Sequence, residues 1–546
     1  VRKSVVPAWA GALAGLVAGA VALGVAQLVA AVVRPEAFPV VAVGDAVVDL
    51  SPAPVKDWAI ATFGENDKTV LVAGVLVLLA AAAAGLGVLA TRRIGYGRAG
   101  LAAFAVIGVW AALTRPDAGP ADVLPTVAGL GVGIWVLGFL VRRAYGTAPA
   151  VAQEPARPGA TGSGPAGDGS DGDGPAGDGP SEWPTVHGAD SVFDRRRLLV
   201  GAAGGVVVAG ASTFLGRAWS GSEAIDAARG GVTLPKAATP AAPLPQGVDF
   251  RLNGLTPFVT KNRDFYRVDT ALILPRIDPK EWRLRIHGMV DRPIELTYAD
   301  LLKRPLTEAD VTLTCVSNEV GGDLAGNARW LGVPLAAVLR EAGVQRDADM
   351  LLSTSDDGWT CGTPVDVVMD GRNALLAVGM NGEPLPLTHG FPVRQVVPGL
   401  YGYVSATKWV VDIKVTRFDR DEAYWTPRGW SAKGPIKTQS RIDLPGDGAK
   451  VAAGRTTIAG VAWAQHTGVD AVEVRVDGGA WQQARLAQAP TADTWRQWAL
   501  DWQATPGEHT IQVRATDAAG RTQTEEKAPV APDGASGWHT ISVRVG

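Results

Sequence analysis

Only two residues offer a thiol, Cys315 and Cys361, in a chain of 546 residues. Cys315 closes a β-branched run, Val311-Thr312-Leu313-Thr314, which reads as a buried strand, and the Ser/Asn/Gly-rich segment after it reads as a loop. A thiol at a strand end stands where scaffolds present reactive groups. By residue type alone it has two readings, a small inert hydrophobe or a soft metal ligand, and both stay open. Two cysteines cannot build a disulfide framework, an all-cysteine zinc site or a thiolate-bound iron–sulfur cluster. No Cys-x-x-Cys-His run offers covalent haem attachment, so neither haem nor a cluster is expected in this chain.

The elements that must carry such a site divide the chain unevenly. A net charge of −3 gives no basic field for nucleic acid, so that class of partner is excluded. Apolar residues make up 47% of the chain and concentrate in its first third, a membrane pattern. Four spans are expected within residues 1–145: Ala8 to Val33, Val70 to Ala90, a short one from Leu101 to Leu113 that could start at Ile94, and Val123 to Val141. Arg2-Lys3, Arg92-Arg93 with Arg98, and Arg142-Arg143 then share one side, the cytoplasmic one. Val40 to Phe63 reads as an outer interfacial segment. The six histidines (187, 287, 389, 466, 509 and 539) all lie outside these spans, which excludes a bis-histidine haem inside them. The bundle therefore reads as an anchor or docking unit in membrane lipid.

Residues 146–194 form a Gly/Pro/Asp tract with little to bury, a disordered linker. Then comes Phe193-Asp194-Arg195-Arg196-Arg197-Leu198-Leu199 and an apolar helix from Leu198 to about Leu215. Over 195–217 this reads either as a twin-arginine export signal with a fifth membrane helix or as an ordinary positive-inside flank. A connector, 218–249, precedes two soluble regions. Residues 250–419 alternate strand-like runs such as Trp282 to Ile286 with helical ones such as Pro334 to Ala342, a mixed α+β pattern. Residues 420–546 carry alternating Trp/Thr/Val strands at Thr456–Trp463, Val472–Val476, Trp495–Trp502, Thr510–Ala515 and Thr540–Val545. Turn signals lie between them, and an all-β immunoglobulin-like sandwich follows.

Within 250–419 an ordered set of motifs resembles the sulfite oxidase family of molybdopterin enzymes. They are Asn262-Arg263-Asp264-Phe265-Tyr266-Arg267, Trp282 to Gly288, Thr314-Cys315-Val316-Ser317-Asn318, Gly326 to Trp330, His389-Gly390-Phe391-Pro392-Val393-Arg394, Val397-Pro398-Gly399, and Lys408-Trp409. The resemblance implies a molybdenum–pyranopterin cofactor with Cys315 as the protein's thiolate ligand. It implies that Asn262, Phe265, Tyr266 and Arg267 line one side of the pterin and His389, Arg394, Ser405 and Lys408 the other, with Arg394 and Lys408 beside its phosphate. A bulky cofactor loaded in the cytoplasm favours export of a folded domain, hence the twin-arginine reading and a catalytic domain on the extracytoplasmic side of the cell membrane.

The departures bear on the substrate. Sulfite oxidases follow the ligand cysteine with an arginine that helps hold the anion, whereas Glu319 stands in this stretch and would repel sulfite. The family's substrate-side tyrosine falls near Trp359. Cys361 reads as a second pocket thiol or a small buried hydrophobe. The expected function is two-electron oxygen-atom transfer on a small substrate, with electrons exchanged with a separate cytochrome or quinone-linked partner. Reduction of an S-oxide such as methionine sulfoxide is the alternative within the family. A non-catalytic membrane-tethered binding or assembly protein is the alternative outside it. By analogy with the family, the sandwich would form a homodimer.

Overall fold

A computed structural model of the chain describes residues 6–52, 55, 58, 62–63, 67–115, 118–147, 191–219 and 222–546. Residues cluster into two units, one of 1–46, 69–113 and 120–220, the other of 47–68, 114–119 and 221–546.

The first unit is helical. Five helices are long and apolar enough to cross a membrane: Ala8–Val33, Lys68–Arg92, Ile94–Leu113, Pro120–Ala144 and Arg195–Leu215. Small residues let them approach closely: a Cβ on Gly15 would lie 2.0 Å from the Ala83 carbonyl oxygen, and one on Gly87 2.1 Å from that of Gly11. Val17, Val21, Val136, Leu137, Leu140 and Leu198 form the interior, while Val77, Leu78, Val106, Trp135, Val207 and Phe214 point outward.

Two sequence boundaries change. The third apolar helix begins at Ile94, not Leu101, which gives it 20 residues. The helix expected from Leu198 begins at Arg195, because the Asp194 carboxylate accepts the Arg197 N–H at 3.0 Å and so caps the helix start. The three arginines thus belong to its first turn. The linker's residues 148–190 lie outside the described residues, and its flanks Tyr145–Thr147 and Ser191–Phe193 pair antiparallel.

In the second unit, residues up to Thr416 build two five-stranded sheets. One runs Glu383–Pro384, Leu375–Met380, Ala325–Pro334, Thr307–Thr314, with Arg394–Val396 also paired to Leu375–Met380. The other runs Ile294–Thr297, Arg283–Gly288, Val410–Thr416, Met350–Ser355, Thr360–Pro364, where Val410–Thr416 and Arg283–Gly288 are parallel. Alternation in Arg283–Gly288 sends Leu284 and Ile286 inward and Arg283 and Arg285 to solvent. Leu284 and Ile286 join Val338, Leu339, Leu376, Val378 and Ile413 in one core. A second cluster, including Phe265, Val311, Leu313, Trp330, Phe391 and Val396, floors the region around Cys315.

The C-terminal strands form two sheets, Gln439–Leu444, Gly454–Trp463, Arg496–Ala504, Arg485–Leu486 and Lys450–Val451, His539–Val545, Gly507–Asp517, Val469–Val476, Gln482–Gln483. Their inward residues, among them Ile458, Val472, Val474, Trp498, Ile511, Val513 and Ile541, fill the space between as a sandwich requires. The expected strands are all present, and the first begins at Gln439.

Candidate active site

Cys315 directly follows the strand Thr307–Thr314, the edge strand of its sheet. Its Sγ is buried and accepts the Ser317 N–H at 3.4 Å. The loop beyond closes on itself: the Cys315 N–H donates to the Leu324 carbonyl at 2.9 Å, and Asn318 Oδ1 accepts the Leu324 N–H at 2.8 Å. Burial pushes the thiol up, opposed by the Ser317 donors and the charge of Lys408. A cation or metal at this sulfur would therefore favour the thiolate that burial disfavours.

An aromatic wall stands beside it. Phe265 stacks on Tyr266 with centroids 5.2 Å apart and meets Trp330 and His389 edge-on at 5.8 and 5.5 Å. Gly326 admits the Phe265 ring, since a Cβ there would come within 2.7 Å of it. Burial drives the Tyr266 hydroxyl far above its ordinary range, Cys315 adding to the rise and Arg394 opposing it.

Four basic groups belong to this region, and they are paired unequally. Asp269 accepts from Lys68 at 2.6 Å, Arg267 at 2.8 Å and Lys408 at 2.9 Å. Burial alone would raise its pKa, yet Lys408, Lys68 and Arg267 hold its carboxyl well below the usual range. Burial pushes Lys408 down to about 8 against the pull of Asp269. Arg394 has only carbonyl partners, those of His389 and Ala406 at 3.3 Å and Gln395 at 3.5 Å, and lies 5.0 Å from the Trp330 ring centroid. Among the described residues no carboxylate reaches it, and burial lowers it to about 10. Gly390, at φ 103°, lets the chain pass within about 3 Å of Lys408 and Arg394, where a Cβ would stand 3.0 and 3.1 Å from their Cβ atoms.

His389 completes the cleft. Its Nε2 lies 2.9 Å from the Asn262 carbonyl, so the neutral ring carries its proton there, and buried Nδ1 presents a lone pair with no partner among the described residues. Burial depresses its pKa to about 4, with the Asn262 carbonyl opposing and the charges of Arg394 and Lys408 adding.

A phosphate-bearing pterin suits this donor set. An uncompensated buried guanidinium calls for an anion, an orphaned imidazole nitrogen calls for a donor, and a lysine shared with two other cations can be surrendered to a phosphate.

The expected residues do not contribute alike. Cys315, Phe265, Tyr266, Arg267, His389, Arg394 and Lys408 come together as described. Asn262 commits its side chain to Met380, Glu383 and Asn381 and offers His389 its carbonyl. Ser405 is buried, but its hydroxyl donates to the Leu400 and Tyr401 carbonyls at 3.1 and 3.0 Å, leaving only acceptor capacity. Glu319 is exposed on the Cys315 loop, and Trp359 is half-buried in the turn between Met350–Ser355 and Thr360–Pro364. Neither makes a side-chain hydrogen bond to the cleft among the described residues. Cys361 is fully buried, 3.6 Å from Thr363 Oγ1, and burial pushes it up to about 11, which fits the hydrophobe reading. Asp269 was not anticipated. The spacing Arg267-x-Asp269 was its only sequence signal, and an Arg-x-Asp pair is common on surfaces.

A mixed α/β domain with a lone thiol at the edge of a cation-lined cleft is the layout of a metal–pterin oxidoreductase. An oxidoreductase molybdopterin binding domain model matches residues 271–425, and a bacterial Ig domain model matches 439–513. Mouse mitochondrial sulfite oxidase is 33% identical over 342 residues, covering 53% of this chain and 62% of that protein. The chain thus spans about three fifths of the mammalian sulfite oxidases it matches, 62% of the human protein. The uncharacterized oxidoreductase YuiH of Bacillus subtilis is 34% identical over 157 residues, 76% of its length. A crystal structure of the sulfane dehydrogenase SoxCD from Paracoccus pantotrophus matches 53% of this chain and 82% of that one at 26% identity, with a TM-score of 0.47. The chain belongs to the sulfite oxidase family of molybdopterin-dependent oxidoreductases.

Proposed function

We propose that this enzyme is anchored in the cell membrane and transfers an oxygen atom to or from a small substrate on the extracytoplasmic side. The observation that carries the chemistry is the buried thiol of Cys315 within reach of Tyr266 and of the charge of Lys408, with Arg394 acting on the same tyrosine and meeting no carboxylate among the described residues. The cofactor, when bound, supplies the two-electron oxygen-atom chemistry, with water as source or sink of oxygen. The protein's share is to hold a thiolate at Cys315, to neutralise the pterin phosphate with Arg394 and Lys408, and to orient the ring system with His389 and the Phe265–Tyr266 wall. Asn262, Arg267 and Ser405 support those groups.

The membrane reading rests on five long apolar helices whose outward faces carry Val77, Leu78, Val106, Val207 and Phe214, surface that water would penalise and lipid would not. Arg195-Arg196-Arg197 in the first turn of the last apolar helix supports twin-arginine export of a loaded domain. Electrons then pass to or from a separate cytochrome or quinone-linked partner, and the C-terminal sandwich is the candidate surface for homodimerisation. Glu319 near the ligand thiol disfavours a sulfite anion and favours a neutral substrate, which keeps S-oxide reduction as a second reading.

Purified full-length protein assayed for molybdenum, sulfite oxidation and S-oxide reduction tests the activity. Stoichiometric molybdenum with one of the two activities is expected, and a metal-free folded protein contradicts the reading. For the address, Arg195→Lys with Arg196→Lys should leave the catalytic domain inside the cell; normal delivery would refute this export route.

A further inference from the structure

The strand that leads into Cys315 lies at the edge of its sheet; Thr239 bridges its outer side at Thr307, and toward Cys315 the outer N–H and C=O groups have no neighbouring strand among the described residues. The C-terminal sandwich meets them. The Thr312 N–H donates to the Asp493 carbonyl at 3.0 Å, and Thr312 Oγ1 accepts the Trp495 N–H at 2.9 Å. Gln465 Nε2 donates to the Thr312 carbonyl at 3.1 Å and to Thr314 Oγ1 at 3.0 Å, one residue before the thiol. Farther along, Arg441 Nη1 donates to the Gly322 carbonyl at 2.8 Å, and the His539 ring covers Gly321, where a Cβ would lie 2.3 Å from it.

Gln465 is 4% exposed and its Oε1 is buried without a partner among the described residues. The opposite amide orientation would set Oε1 against the Thr312 carbonyl, acceptor against acceptor, so the donor must face the strand even though the acceptor goes unpaired. A buried side chain held in this way fixes the last turn of backbone before Cys315 from outside the catalytic fold.

We infer that Gln465 of the C-terminal sandwich is a positioning residue for Cys315: it clamps the end of the ligand strand and so sets where the sulfur stands. The sandwich then has a role within its own chain, whether or not it also dimerises. This inference rests on the reading of Cys315 as the metal ligand.

The test uses the full chain with Gln465→Met, which keeps volume and removes the donor. In cofactor-free protein on a Cys361→Ala background, thiol labelling of Cys315 should quicken about tenfold as the edge loosens. In loaded protein the Mo(V) resonance should shift and kcat should fall about tenfold with KM unchanged, the scale seen for groups that orient metal ligands. Wild-type labelling and an unchanged resonance, with only a lower melting temperature, would reduce Gln465 to packing and overturn the inference. If Gln465→Met does not fold, Thr314→Val removes the bond nearest Cys315 at constant volume while the one to the Thr312 carbonyl stays; the same two outcomes apply, with a smaller change in labelling. Cys315→Ser is measured in parallel. A wild-type resonance there removes Cys315 as ligand, whereas an altered one beside an unchanged Gln465→Met removes only the clamp.

Discussion

The two cysteines of this chain are both buried, yet their surroundings differ in kind. Around Cys361 the pairing is mostly complete within the protein: Thr363 Oγ1 donates to the Val404 carbonyl at 2.8 Å and accepts from Gln395 at 2.8 Å, Gln395 Oε1 takes the Ser353 hydroxyl at 2.7 Å, and of its neighbours the neutral Thr407 hydroxyl is left without a partner among the described residues. Around Cys315, among the described residues, an imidazole nitrogen has no donor and a guanidinium has no carboxylate. Burial raises both thiols, so burial does not mark the site. What sets the Cys315 region apart is the kind of group left open, a buried guanidinium and an imidazole nitrogen, which a ligand bearing an anion and a donor would complete.

The largest effect should come from separating the two thiols. Cys315→Ser should lower turnover by about a hundredfold or more, beyond the usual loss on removing an orienting group. Cys361→Ala should keep turnover per molybdenum and cost about 1 kcal/mol of stability through its small cavity. Steady-state kinetics and thermal melting check both.

The pairing contrast can be broken from the other side. Asp269→Asn leaves Lys68, Arg267 and Lys408 without their shared carboxylate and should cost about 3 kcal/mol in denaturant unfolding. Because the folded carboxyl titrates below its unfolded value, its contribution is full above the ordinary carboxylate range and is lost as pH falls through and below that range. Arg394→Met should behave oppositely. The cofactor-free chain should be no less stable, since an uncompensated buried charge is gone, while molybdenum retained after dialysis falls about tenfold.

His389 gives a smaller signature that depends on pH. Its folded pKa of about 4 lies below the ordinary 6.5, so between those values the unfolded chain takes a proton the folded one refuses. Stability should therefore fall as pH drops from 6.5 towards 4, by up to about 3 kcal/mol, and His389→Phe should flatten that limb in urea titrations of the cofactor-free chain. The smallest effect belongs to exposed Glu319: Glu319→Arg should leave melting unchanged and lower KM for sulfite about tenfold.

Period and motif made much of this legible in the sequence. The sandwich strands alternate in and out, and the run from Val311 to Thr314 is β-branched or apolar throughout and buried on both faces, so their character followed from side-chain order. His389, Arg394 and Lys408 were readable because they sit in ordered motifs. Asp269 was not, since its importance comes from Lys68 and Lys408, residues 201 and 139 positions away that only the fold brings together. Gln465 was hidden for the same reason, its partners Thr312 and Thr314 lying 153 and 151 positions earlier. The helix start at Arg195 turned on a cap from Asp194, a local choice that an apolar pattern beginning at Leu198 does not encode.

Molybdenum K-edge X-ray absorption on the purified, loaded full-length enzyme beside Cys315→Ser tests the account most directly. The wild-type edge should show one more sulfur neighbour than the variant. Equal sulfur counts in the two proteins would contradict Cys315 as the ligand and with it the reading of the cleft.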